Sequence, residues 1–147
     1  MRGFTLIELI LVIAIISIVA TLSIPFIQTF QTSSDLYTYV DTVTKTLRRA
    51  RQQAVSGQDS SSWGVYFNND EKKIILFKGN DFINRDITYD QEEEYSEIFN
   101  INTDFGNEIY FTLYSGLPSS NGTITATSTV NNDIKYITVQ DLGLINK

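Results

Sequence analysis

The chain has no cysteine and no histidine. The first absence removes disulfide frameworks, thiolate zinc sites and cysteine nucleophiles. The second removes Ser–His–Asp catalysis, histidine metal ligands and histidine general bases. Positive charge is scarce as well: 11 basic residues against 17 acidic ones leave a net charge of −6. A general nucleic-acid binder needs a positive footprint, so nucleic acid is not an expected partner. Charge of either sign is nearly missing from the first 30 residues, which hold only Arg2 and Glu8.

What is present suits one small folded domain. The length is 147 residues, with 42% apolar and 19% charged residues, a balance that excludes wholesale disorder. The mean hydropathy of −0.07 averages one greasy segment with a polar remainder.

The greasy segment is MRGFTLIELILVIAIISIVATLSIPFIQTF. Phe4–Ser23 is 20 residues, or about 30 Å of helix, the thickness of a bilayer's hydrocarbon core. Ser17, Thr21 and Ser23 can bond back to helix carbonyls. A buried core helix is the alternative, but such helices are usually shorter and keep a polar stripe. A secretory signal would have a shorter apolar run ending at a small-x-small site, and no such site follows here. Arg2 lies before the run, while residues 28–44 carry no Lys or Arg but do carry Asp35 and Asp41. The amino terminus is therefore expected on the cytoplasmic side and the remainder outside.

Glu8 does not fit a plain anchor. A carboxylate within a lipid-facing helix costs about 2.5–3.5 kcal/mol on insertion scales. The apolar run from Phe4 to Ser23 offers no Lys, Arg or His to pair with it, so the nearest available cation would be a free α-amino group of this chain or a neighbour. Such an amine reaches that depth only if a short leader is removed.

Gly3-Phe4-Thr5-Leu6-Ile7-Glu8, followed by an apolar run with Pro25, resembles the processing and assembly motif of type IV prepilins and type II secretion pseudopilins. The resemblance implies removal of leader 1–3 by a membrane prepilin peptidase between Gly3 and Phe4, then N-methylation of Phe4. It implies that Glu8 neutralises the amino terminus of another subunit during assembly, and that Pro25 kinks the helix. The implied partners are other pilin or pseudopilin subunits, the peptidase, a membrane assembly platform and membrane lipid. No cofactor is implied.

After Pro25 the apolar positions Phe26, Phe30, Leu36, Val40, Val43, Leu47, Ala50 and Ala54 recur at threes and fours. That spacing predicts an amphipathic stem over 28–55 whose stripe packs on the domain that follows. Gly57 is its stop signal. Lys45, Arg48, Arg49 and Arg51 form the basic cluster. They are either a solvated face or a contact for a neighbour's acidic surface, the solvated face being the plainer reading. The stem sums to +2 and residues 56–147 to −8, which suits subunit packing better than nucleic acid.

From residue 56 the pattern turns strand-like. Trp63–Phe67 and Lys73–Lys78 flank an Asn/Asp-rich hairpin connection. Glu108–Tyr114 is a further predicted strand, Thr123–Val130 and Ile134–Val139 a second hairpin, and 96–101 an additional strand. Asp90, Glu92, Glu93, Glu94 and Glu97 read as a solvated acidic loop. The first four are the candidates for Ca²⁺, which takes oxygen ligands, but no EF-hand spacing is present.

RRARQQA, the WGVYF strand, a later IYF strand, a Gly–Pro turn and IKYITV together resemble the H-type pseudopilin and FimT-like minor pilin domain. The implied fold is α+β and pilin-like: a long amino-terminal helix, transmembrane over 4–27 and amphipathic over 28–55, on an antiparallel β head, 56–147. The implied function is a structural subunit of a type II secretion pseudopilus or a type IV pilus, supporting protein secretion. The subunit would sit as a single-pass inner-membrane protein with a periplasmic head before joining the filament. Related proteins of competence pili bind DNA through a basic carboxy-terminal region. Here the last 50 residues offer only Lys135 and Lys147, so that activity is not carried over. The chain also lacks the carboxy-terminal disulfide of many pilins. A competence or adhesion minor pilin and a membrane-anchored binding module that never polymerises are the alternatives, and the second gains nothing from Glu8. An enzyme without His or Cys would need a carboxylate pair or a Ser–Lys centre, and no spacing singles one out.

Overall fold

The structure, a computed structural model, describes residues 3–147, and within that range only the backbone for residues 22–29. One helix, α1 (Leu6–Val55), leads into eight strands: β1 (Trp63–Asn68), β2 (Lys73–Lys78), β3 (Gln91–Glu94), β4 (Phe99–Thr103), β5 (Glu108–Phe111), β6 (Gly122–Ser128), β7 (Ile134–Val139) and β8 (Ile145–Asn146). The strands form two antiparallel four-stranded sheets, ordered β3-β2-β1-β5 and β4-β6-β7-β8. The fold is α+β, an amino-terminal helix packed on antiparallel sheets.

The carboxy-terminal half of α1 is held to both sheets by one core. Leu36, Val40, Val43, Leu47, Ala50 and Ala54 are buried on the helix. They meet Trp63, Val65, Phe67, Ile74, Leu76, Ile109 and Phe111 from the first sheet, and Ile101, Ile124, Ala126, Ile137 and Val139 from the second. Burying each large aliphatic side chain contributes roughly 1.5–3 kcal/mol. Phe30 departs from the predicted stripe: it is 70% exposed. Near this end of the stem the Ser33 hydroxyl lies 3.0 Å from Asn131 Nδ2 and also bonds Asp133.

The helix stops where Gly57 adopts φ +69°, the left-handed conformation that ends helices most cheaply with glycine. Gly57 N donates to Ala54 O at 3.1 Å, and Tyr114 N donates to the same oxygen at 2.9 Å. That second bond explains why β5 ends at Phe111 and not at Tyr114 as predicted. Tyr114 (φ +62°) and Gly116 (φ +63°) turn the chain back under the helix end.

Two strands were not predicted. The acidic run is not a loop: Gln91–Glu94 pairs with β2 in the register Lys73↔Glu94 to Leu76↔Gln91. β8 pairs with β7 only at Thr138 and Val139. The additional strand predicted at 96–101 lies at Phe99–Thr103. The outer face of the first sheet is covered by the segment after β2. Phe82 stacks on Tyr66 at 3.8 Å, and Arg85 lies 3.6 Å over Phe82 while its Nε donates to Asp90 at 2.8 Å.

Candidate assembly site

Gly3, Phe4 and Thr5 precede the first turn of α1. Thr5 is the cap: its Oγ1 accepts from Glu8 N at 3.3 Å, and its carbonyl accepts from Leu9 N at 3.2 Å. Thr5-Leu6-Ile7-Glu8 therefore starts the helix in the manner of a capping box, with the acid in the first turn. The positive end of the helix dipole favours a carboxylate there by about 0.3–1 kcal/mol. The T-x-x-E spacing is readable in the sequence, yet attention to Glu8 as a membrane anomaly passes over it. Glu8 therefore has a local reason for its position, the helix start.

Gly3 has no steric reason to be glycine. A Cβ at that position meets nothing within 4 Å. Elsewhere the fold does demand glycine: a Cβ on Gly64 would lie 2.3 Å from the Phe77 ring and 2.9 Å from Ile109 O.

From Phe4 to Thr21 every described side chain is exposed, including Phe4 at 83%. Leu6, Ile7, Leu11, Val12, Ile15 and Ile16 lie bare on all sides of the helix. The hydroxyls within it are satisfied: Ser17 Oγ donates to Ile13 O at 2.8 Å, and Thr21 Oγ1 to Ile18 O at 2.9 Å. Among the described residues no helix is long and apolar enough to cross a membrane. The described side chains stop at Thr21, two residues short of the predicted span. The described backbone stays helical through Pro25, where a kink was expected, within the single element Leu6–Val55.

The basic cluster divides. Arg48 Nη2 donates to Ile145 O at 2.9 Å; Arg51 donates through Nε to Gly116 O at 3.3 Å and through Nη2 to Leu142 O at 3.1 Å. Arg48 fastens the helix to β8, and Arg51 fastens it to the β5–β6 and β7–β8 connections. Gly143 (φ +75°) makes room for them, since a Cβ there would sit 2.7 Å from Arg51 Nε. Lys45 is exposed and lies 3.8 Å from Asp41. Asp41 also pairs with Lys147, whose hydrogen bond holds its carboxyl below the usual carboxylate range. Arg49 is exposed and has no ion-pair partner among the described residues.

The acidic candidates do not converge. Asp90 is committed to Arg85, and Glu92 to Lys73 at 2.8 Å. That hydrogen bond raises the Lys73 pKa above its ordinary value. Glu93 falls on the other face of β3 from Glu92, as strand geometry requires. Among the described residues no group of three or more potential metal-ligating side chains is arranged to hold an ion.

Residues 1–24 match the family model for the prokaryotic N-terminal methylation motif. No curated protein matches the chain in sequence. The fold is similar to that of the minor pseudopilin EpsH from the Type 2 Secretion System of Vibrio cholerae, with a TM-score of 0.56 at 12% identity, over 76% of this chain and 94% of that one. The chain thus joins an apolar, acid-bearing helix start that matches the prokaryotic N-terminal methylation motif to a head whose fold is similar to that of a minor pseudopilin.

Proposed function

We propose that the chain is a structural subunit of a type II secretion pseudopilus or a type IV pilus, supporting protein secretion, with no catalytic role of its own. It divides into leader 1–3, filament-core helix 4–27, stem 28–55 and head 56–147. Prepilin peptidase cuts after Gly3 and Phe4 becomes the N-methylated terminus. Before assembly the helix anchors the chain once in the inner membrane, amino terminus toward the cytoplasm and head outside. A membrane assembly platform then moves it into a filament. Glu8 pairs with the amino terminus of a neighbouring subunit, the attraction being strengthened by the low dielectric around it.

The observation that carries this reading is the bare helix. Side chains from Phe4 to Thr21 find no cover within their own chain, so lipid or other subunits' helices must supply it. The open space around Gly3 supports the cleavage assignment, because the fold does not ask for glycine there. Mass spectrometry of protein from native membranes tests it. The expected mass lacks Met1–Gly3 and gains one methyl group on Phe4. An intact terminus, or a cut beyond residue 20, would overturn the reading.

A further inference from the structure

The stem carries two unlike flanks at the same height. Asp35, Thr38, Tyr39 and Thr42 lie on one side of α1, where they line a groove of about 240 Å³ with Glu93 and Glu94 of β3. Asp35, Glu93 and Glu94 are exposed and have no ion-pair partner among the described residues. In the groove wall Tyr39 is only 6% exposed and its ring packs against Tyr95 and Phe99. Acids without ion-pair partners beside an aromatic wall make an anionic surface that a cationic one complements.

Tyr37 and Val40 lie on the opposite side of the helix, since residues two apart are about 200° apart at 3.6 residues per turn. There they line a second groove, of about 470 Å³, with Ile134, Lys135, Tyr136 and Lys147. Tyr37, Ile134 and Tyr136 are exposed, and Lys135 Nζ sits 4.0 Å over the Tyr37 ring. Because β8 pairs only with Thr138 and Val139, the outer edge of β7 from Ile134 to Ile137 is bare. β3 is the edge strand of the other sheet.

We infer that these flanks are the two halves of one contact, in which the Lys135–Tyr136 flank of a second copy of this chain docks on the Asp35–Glu93–Glu94 groove. A single chain holds both complements: Asp35 and Glu93 without ion-pair partners on one side, and on the other Lys135 over the Tyr37 ring, opposite in charge. Because the halves differ and face apart, the contact is heterologous. It does not close as a two-fold dimer but repeats from copy to copy, as a filament requires. The inference rests on the assembly reading above and says which surfaces meet beyond the apolar helices.

The chain's lack of cysteine makes the test specific. Ser96→Cys and Tyr136→Cys place thiols beside each flank and leave the charges in place. With both substitutions, the full chain assembled in native membranes should give a ladder of multimers with a short bis-maleimide. Two singly substituted chains should give a dimer when mixed, and each alone should stay unlinked. Glu93→Lys with Glu94→Lys should cut the yield about tenfold or more, since like charges at a contact are strongly disfavoured. Adding Lys135→Glu, which leaves the Lys147–Asp41 pair intact, should restore part of it. Circular dichroism of each variant separates a lost contact from a lost fold. Filaments that sediment normally without a ladder would overturn the pairing and leave the assembly reading intact. A yield indifferent to charge reversal, or Ser96→Cys linking only to another polypeptide, would overturn it too. Failure of the unsubstituted chain to form any sedimentable filament would overturn both.

Discussion

The two halves of α1 are built from similar residues and meet opposite fates. Leu9, Ile13 and Ile16 lie bare, whereas Leu36, Val43 and Leu47, on the same helix, are fully buried. The difference is one of periodicity, not of hydrophobicity. The stem concentrates apolar residues on one face and turns Asp35, Asp41 and Lys45 away from the core, so a single sheet-built surface can cover it. The first half is apolar all round, so no one-sided partner within the chain can cover it. The comparison teaches that one continuous helix carries two separate energetic roles, stability of the head and association between chains.

Substitutions can break that division of labour. The largest effect is expected for Glu8→Leu. Removing one member of a buried ion pair costs about 3–5 kcal/mol, so filament incorporation should fall more than a hundredfold, read by sedimentation, while the chain still inserts and its head melts unchanged. Incorporation at the unsubstituted level would show that Glu8 serves only as a helix start. Next comes a matched pair. Leu47→Ala should destabilise the head by about 2–5 kcal/mol, seen as a lower midpoint in denaturant. Ile13→Ala, an equal-sized truncation at a bare position, should leave that midpoint in place. Equal effects from the two would erase the distinction between the halves.

The smallest expected effect concerns pH. Asp41 has a depressed pKa because Lys147 bonds its carboxylate, with Lys45 and Arg48 adding to the attraction. A depressed carboxylate contributes stability that is present above its unfolded pKa, about 3.9, and is lost as pH falls through the folded value. The tie between stem and β8 should therefore hold at neutral pH and loosen in acid. Hydrogen exchange at Asn146 should rise below about pH 4, and Asp41→Asn should remove most of that dependence. Exchange that ignores both would dismiss the tie.

Much of this architecture is readable in the order of the residues. Apolar spacing from Leu36 to Ala54 marks the stem, Gly57 marks its end, and β-branched and aromatic alternation marks β1, β2, β6 and β7. The unread parts have physical reasons. Gln91–Glu94 carries three glutamates, which have low strand preference, and an edge strand tolerates them because solvent reaches it and charge discourages further pairing. β8 is too short to leave a period. Phe30 continues the stripe in sequence but is exposed, which spacing alone does not reveal. Arg48 and Arg51 read as ordinary solvated cations because their partners are carbonyl oxygens 65 to 97 positions away, and no side-chain pattern announces those.

The fastenings of the stem sit at its two ends. Ser33 grips the Asn131–Asp133 turn at one, and Arg51 grips Gly116 and Leu142 at the other, about 27 Å apart at 1.5 Å per residue. A rod clamped at both ends of its bearing has no hinge. The stretch between those clamps and the head therefore turn together, and a tilt applied to the stem at Ser33 is a tilt of the head.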